Sequence, residues 1–410
     1  MDTTISAKPQ PEAIAIPRHA VVALGCAAFA SGISLRVTDP LLPRLAQEFN
    51  VSVGSAAMVI TAFAISYGMA QLFFGPMGDR FGKFLVIGLA CVACSLTAAS
   101  CAVAPGFTSL VLARTLAGAT AAAIIPLSMA WIGDVIAYDQ RQPVLARFLI
   151  GQIMGLSAGV MVGGFAAEHL GWRLLFFGIA ALFVVISIVV LAVNRHLPPQ
   201  ARLLRHMPGS AWRRMLTEFS QVLALPWARV VVFTVFLEGL FLYGAFAFIV
   251  SHLHLHYDVP LSRAGSVVML FGFGGLLFAL GVSPLVRTLG EVGLARWGGA
   301  LVALSYLTIA FGPAWWWAIP ASFSAGLGFY MLHNTLQINA TQMAPERRGA
   351  AVSAFASSFF LGQSVGVALS GLLLEKIGTV GILTAGALGV FALAWNFARL
   401  RNRRMQMTAS

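Results

Sequence analysis

The sequence predicts an all-α membrane protein of twelve transmembrane helices arranged as two six-helix, pseudo-symmetric halves. Three observations point there. The 410 residues are 59% hydrophobic and only 10% charged, with a mean hydropathy of +0.86. A water-facing surface of this size needs far more charge. The apolar residues fall in runs of roughly 20, about the length that crosses a hydrocarbon core as helix. Backbone groups cannot stay unpaired in lipid, and the runs lack the alternation of barrel strands, so they are helices. Third, a set of glycines, serines and acids recurs along the chain at a constant offset.

The runs set the elements in order. The first six are 19–40, 55–75, 84–104, 108–131, 144–167 and 172–193. After a long gap come 229–250, 264–284, 293–311, 315–337, 348–373 and 379–399. The first run follows Lys8 and Arg18 and so resembles a signal peptide, but the many spans after it favour retention as the first helix. The gap holds Pro198, Pro199, Pro208 and several arginines. It reads as a basic linker at 195–228, dividing an N-terminal half at 1–194 from a C-terminal half at 229–410. Its stretch from Trp212 to Leu225 suits an amphipathic helix lying on the membrane surface.

Net charge is +12, which raises the question of nucleic acid. The distribution answers it. With both termini cytoplasmic, only Arg44, Arg173, Arg263 and Lys376 of the 26 Lys and Arg fall outside, and Arg36 and Arg114 fall within spans. The remainder lie inside, the positive-inside bias of a bacterial-type inner-membrane protein. No basic patch is interleaved with stacking aromatics, so nucleic acid is excluded as a partner. Cys26, Cys91, Cys94 and Cys101 lie in apolar spans; without flanking charge to stabilise a thiolate, the Cys91–Cys94 spacing reads as small apolar filler.

The halves read as copies. Gly155, Ser157, Gly159, Gly164, Glu168 and Gly171 in and after the fifth span match Gly362, Ser364, Gly366, Gly371, Glu375 and Gly378, each pair 207 apart. At a separation of 208, Pro76 and Gly82 match Pro284 and Gly290. Parallel repeats of six spans are one architecture of secondary transporters, with substrate bound between the halves near mid-membrane.

Between spans two and three stands Gly75-Pro76-Met77-Gly78-Asp79-Arg80-Phe81-Gly82-Lys83. Here the chain resembles the major facilitator superfamily, whose signature is Gly-x-x-x-Asp-Arg/Lys-x-Gly-Arg/Lys. Arg114 and Gly118 in span four match its membrane-embedded arginine and following glycine, and Asp39 to Pro43 is similar to the end of span one in the drug/proton antiporter branch. The resemblance runs from span one to span twelve. It implies a major-facilitator fold and transport driven by a proton gradient without a bound cofactor. It also implies a latch in which Asp79 sits against the N-terminus of span eleven and Arg80 engages an acid such as Asp134. Gly75, Gly82 and Lys83 belong to the same latch. In span five, Gly159, Gly163 and Gly164 fit the antiporter motif and, with Gly155, suit close helix packing. Val160 stands where that motif has proline.

Charge in a membrane costs at least about 2.5–3.5 kcal/mol per residue, so it is seldom idle. Arg36, Asp39, Arg114 and Glu238 are the four such residues. Glu238 lies near half depth of span seven in an apolar run, which suits a carrier that takes up a proton when secluded and releases it when water reaches it. Asp39 is the second candidate, three residues from Arg36 and able to pair with it. Tyr67, Gln71, His333, Asn334 and Gln337 are candidates to line a cavity. Aromatics of span seven (Phe241, Tyr243, Phe246, Phe248) read best as lipid-facing, and Trp315 to Trp317 as an interfacial belt. His252, His254 and His256 have no acid or cysteine beyond Asp258 to complete a metal set, so no metal is expected.

The expected function is proton-coupled efflux of small organic compounds by alternating access, by a monomer in the inner membrane. Uptake or exchange of an organic anion is the alternative, with Arg36 and Arg114 as carboxylate clamps. A transport-inactive receptor or scaffold is a third reading, which the intact loop signature and buried acid disfavour. No nucleophile–base pair or metal set sits at membrane depth, so no enzyme is expected. No phosphate-binding loop motif is present to use ATP.

Overall fold

The structure, a computed structural model, describes residues 18–136, 138–202 and 211–409. Lys8 and Pro208 lie outside the described residues, as does the linker stretch 203–210. No strand occurs among the described residues. The helices are α1 (Arg18–Arg36), α2 (Met58–Phe81), α3 (Lys83–Ala102), α4 (Phe107–Ala121, continued by Ile124–Val135), α5 (Tyr138–Phe165) and α6 (Trp172–His196). After the short helices Pro199–Arg202 and Ala211–Ala224, α7 begins at Pro226–Glu238 and continues through a π-turn, Gly239–Tyr243, to Tyr257. Then come α8 (261–289), α9 (291–311), α10 (Ala318–Gln342), α11 (348–377) and α12 (379–409).

Nine helical stretches among the described residues are long and apolar enough to cross a membrane. Two of them are pairs of helices joined at a glycine: α8–α9 at Gly290 and α11–α12 at Gly378. The helix α10 falls outside the nine because His333, Asn334, Gln337 and Asn339 dilute its apolar run. Several helices overrun the apolar stretches by a turn or more, since a helix need not stop where the hydrocarbon does. A helix does stand where the linker was expected to hold one, at Ala211–Ala224. The short helix Leu42–Phe49 was not anticipated.

The repeat is built into the contacts. The positive-φ glycines among the described residues are Gly82, Gly171, Gly290 and Gly378, which are two repeat pairs. Each turns the chain between antiparallel helices in a conformation that a Cβ disfavours. A Cβ on Gly155 would strike the Phe29 carbonyl, and one on Gly362 the Phe236 carbonyl. One turn on, Gly159 meets Ile33 and Gly366 meets Leu240. The partners Phe29 and Phe236, like Ile33 and Leu240, are themselves 207 apart. So α5 packs on α1 as α11 packs on α7, backbone against backbone, as small-residue rows permit in lipid.

The two faces of the bundle differ. On the face away from the termini, Gly164 of α5 abuts Leu261 and Gly265 of α8, and Gly371 of α11 abuts Gly54 beside α2. On the terminus-bearing face, Gly75 of α2, Gly281 of α8 and Gly349 of α11 have open space where a Cβ would stand.

Candidate functional site

Arg36 is the last residue of α1 and only 3% exposed. Its guanidinium lies 3.7 Å over the Tyr243 ring of α7. Its Nη2 donates to Gln363 Oε1 of α11 at 3.2 Å, and its Nη1 is 3.5 Å from Asp39 Oδ2. One cation therefore ties three helices. It also lines a narrow cleft with Ser157 of α5, Tyr243 and Phe246 of α7, Phe271 of α8 and Tyr330 of α10. The expectation of lipid contact for the α7 aromatics is overturned for Tyr243, Phe246 and Phe248, which are all buried. The π-turn that follows Glu238 adds a residue to the helical turn and so re-aims this stretch of α7 inward.

Glu238 is wholly buried. It does not stand alone, as its own sequence neighbourhood suggests. Its Oε2 is 2.8 Å from Nδ1 of His333 on α10, and its Oε1 has no hydrogen-bond partner. The imidazole is seated among Phe329, Phe355 and Phe359, with centroids 4.9, 5.4 and 4.8 Å away. Its side chain keeps 18% exposure. The acid is thus fully enclosed, and its hydrogen-bond partner is an imidazole that keeps partial exposure.

Arg114 is placed differently from a substrate clamp. It is 1% exposed, and its Nε donates to the Val59 carbonyl at 3.4 Å and its Nη2 to the Ser34 carbonyl and Thr38 Oγ1 at 3.2 and 3.4 Å. Its guanidinium stacks 4.1 Å over Phe63. These contacts pin α4 to α1 and α2, and Arg114 is not among the cleft-lining residues.

The loop signature is also rearranged. Lys83 Nζ bridges Asp79 Oδ1 at 2.5 Å and Asp134 Oδ2 at 2.9 Å. Arg80 is exposed and lies over the Phe81 ring. The expected pair of Arg80 with Asp134 is corrected: Lys83 takes that acid. Asp79 hydrogen-bonds Lys83 rather than the start of α11. The ends of α2 and α11 are not in close contact at Gly75 and Gly349, whose Cβ positions are open.

Of the cavity candidates, Tyr67 packs at a tilt against Phe360 of α11 with centroids 4.2 Å apart. Gln71 is buried with its Oε1 unpartnered. Asn334 and Gln337 are half-buried on α10, outside the cleft lining. Ser157, Tyr330 and Gln363 are site residues that sequence reasoning missed as such. The repeat offset was the available signal, since it matches Gln363 to Leu156, another cleft residue. His252 uses both ring nitrogens, near Thr379 Oγ1 at 2.8 Å and the Ile309 carbonyl at 3.0 Å. Gly155 and Gly159 face α1, Gly163 faces Val37 and Pro40 just past its end, and Gly164 faces α8.

The sequence profile of the Major Facilitator Superfamily matches residues 24–367. The chain belongs to that family. Among relatives, an uncharacterized MFS-type transporter, YceJ, of Bacillus subtilis is 24% identical over 89% of this chain and 92% of its own. The quinolone resistance protein NorA of Staphylococcus aureus is 23% identical over 84% and 86%. Among solved structures, the human organic anion transporter MFSD10 shares the fold at a TM-score of 0.72 and 16% identity, over 95% of this chain and all of that one. This is accordingly a multi-pass membrane protein of a transporter family.

Proposed function

We propose that this chain is a secondary active transporter that expels small organic compounds in exchange for protons. In this reading twelve spans form two six-span halves, which rock about the Arg36 cleft with both termini in the cytoplasm. The observation that carries it is the Glu238–His333 pair. A buried acid hydrogen-bonded to a partly exposed imidazole, on the helix whose Tyr243 walls the cleft, suits a group that cycles a proton as the cleft changes sides. A proton moving down ~100 mV and one pH unit supplies about 3.7 kcal/mol, enough for a roughly 500-fold gradient of a neutral solute. The cleft holds only about 10 Å³ in this conformation; once parted, its aromatic walls offer ring faces to flat, largely apolar solutes. NorA, a relative over most of the chain, carries quinolone resistance in its name. No cofactor enters this reading.

Organic-anion uptake or exchange is the second reading. Arg36 faces the cleft, and an anion there would compete with Asp39 for it.

The test is a screen of purified protein in vesicles for solute-dependent proton flux. Efflux coupling predicts proton movement opposite to the solute. Anion uptake predicts co-directional movement or none.

A further inference from the structure

The first turn of α8 is capped from outside its own repeat. Its N-cap is Pro260, which supplies no side-chain acceptor, so the Ser262 N–H has no local partner. Glu168, on the π-turn Ala166–Leu170 that ends α5, reaches across, and its Oε2 accepts from the Ser262 N–H at 3.0 Å. The carboxylate thus takes the place of a missing cap and meets the positive end of the helix dipole. This bond lies beside the Gly164–Gly265 contact, where a Cβ on Gly265 would come 2.7 Å from the Val160 carbonyl. It can exist only while the two backbones are that close.

The repeat supplies an internal control. Glu375 follows Gly371 by four residues, as Glu168 follows Gly164, and Gly371 abuts Gly54 in the matching contact. Yet the helix start there is self-sufficient: Ser52 Oγ accepts from the Ser55 N–H at 3.1 Å. Glu375 is exposed. One side of the closure is fastened by a charge from the other repeat, and the other side has no need of one.

We propose that Glu168 is a positioning residue of the gate on the face away from the termini. Its carboxylate completes the α8 N-terminus only when that face is shut, and so biases the cycle toward the closed state. The proposal rests on the alternating-access reading given above, and the experiment separates the two.

The full-length protein, its native cysteines replaced, carries spin labels at V103C and F311C, exposed ends of α3 and α9 on that face. Pulsed dipolar distances in nanodiscs report the ratio of open to shut molecules. E168A raises it about five-fold, the equivalent of a lost cap. E168Q keeps the packing and raises it about two-fold through the lost charge–dipole term. E375A leaves it unchanged. An unchanged ratio in both Glu168 variants, or an equal rise in E375A, overturns the proposal. Solute-coupled proton flux in vesicles is read separately. Flux without a distance shift sinks the gate alone, and a shift without flux leaves the gate and sinks the transporter reading.

Discussion

Arg36 and Tyr243 occupy equivalent positions of the repeat, 207 residues apart, and the guanidinium of the first lies 3.7 Å over the ring of the second. The end of α1 and the π-turn of α7 are therefore joined by a buried cation–π contact, and any motion of one helix against the other must work on it.

Arg36→Lys keeps the charge but loses the planar stack and the geometry that reaches Gln363 and Asp39 together. Transport in vesicles should fall about ten-fold, the scale of a desolvated cation–π contact. Tyr243→Phe, which keeps a ring face, should stay close to the parent, and Tyr243→Leu should fall with Arg36→Lys. Equal rates in all three would remove the contact from the cycle.

Arg114 should behave as a pin. Arg114→Ala leaves the Ser34 and Val59 carbonyls without their donor, at about 1–3 kcal/mol per buried group, and should lower the melting temperature in detergent. Arg114→Lys should recover part of it. A clamp would instead raise KM for the solute at unchanged melting temperature.

The glycine rows predict a matched pair of defects. Gly155→Ala and Gly362→Ala each drive a methyl into a facing carbonyl and should destabilise by similar amounts, on the order of 1–3 kcal/mol. Gly178→Ala, with open space at its Cβ, should be neutral or slightly stabilising. Thermal melts of the three variants decide it.

At the loop signature, Asp134→Asn leaves Lys83 with Asp79 alone. If Asp79 must leave Lys83 to reach the start of α11 when the other face opens, this variant should slow exchange while expression stays normal. Asp79→Asn should slow it further. Full exchange by Asp79→Asn protein would dismiss the latch.

Much of this was legible in the chain. Apolar run length sets the helices, and the offset between Gly155 and Gly362 announced both the repeat and the turn glycines. Spacing also brought Asp39 to Arg36. What was not legible lies between helices. Glu238 and His333 are 95 residues apart, and Arg36 and Gln363 are 327 apart. Nothing local links such pairs, because helix rotation and inward aim depend on packing and, in α7, on a π-turn that periodicity does not reveal. The inward turn of Tyr243 and Phe246 escaped for the same reason. The partner of Asp134 is Lys83, a choice set by how α2, α3 and α4 pack and not by the motif alone.

Proteoliposomes of Glu238→Gln protein test most directly whether Glu238, through His333, carries the coupled proton. Under an imposed pH gradient the parent should drive solute uphill and move protons when solute is added. Glu238→Gln should lose both while still exchanging solute downhill, since the neutral amide fills the same space without titrating. Normal coupling in Glu238→Gln, with coupling lost in Asp39→Asn, would place the carrier at Asp39. Normal coupling in both variants would contradict the proton-exchange account itself.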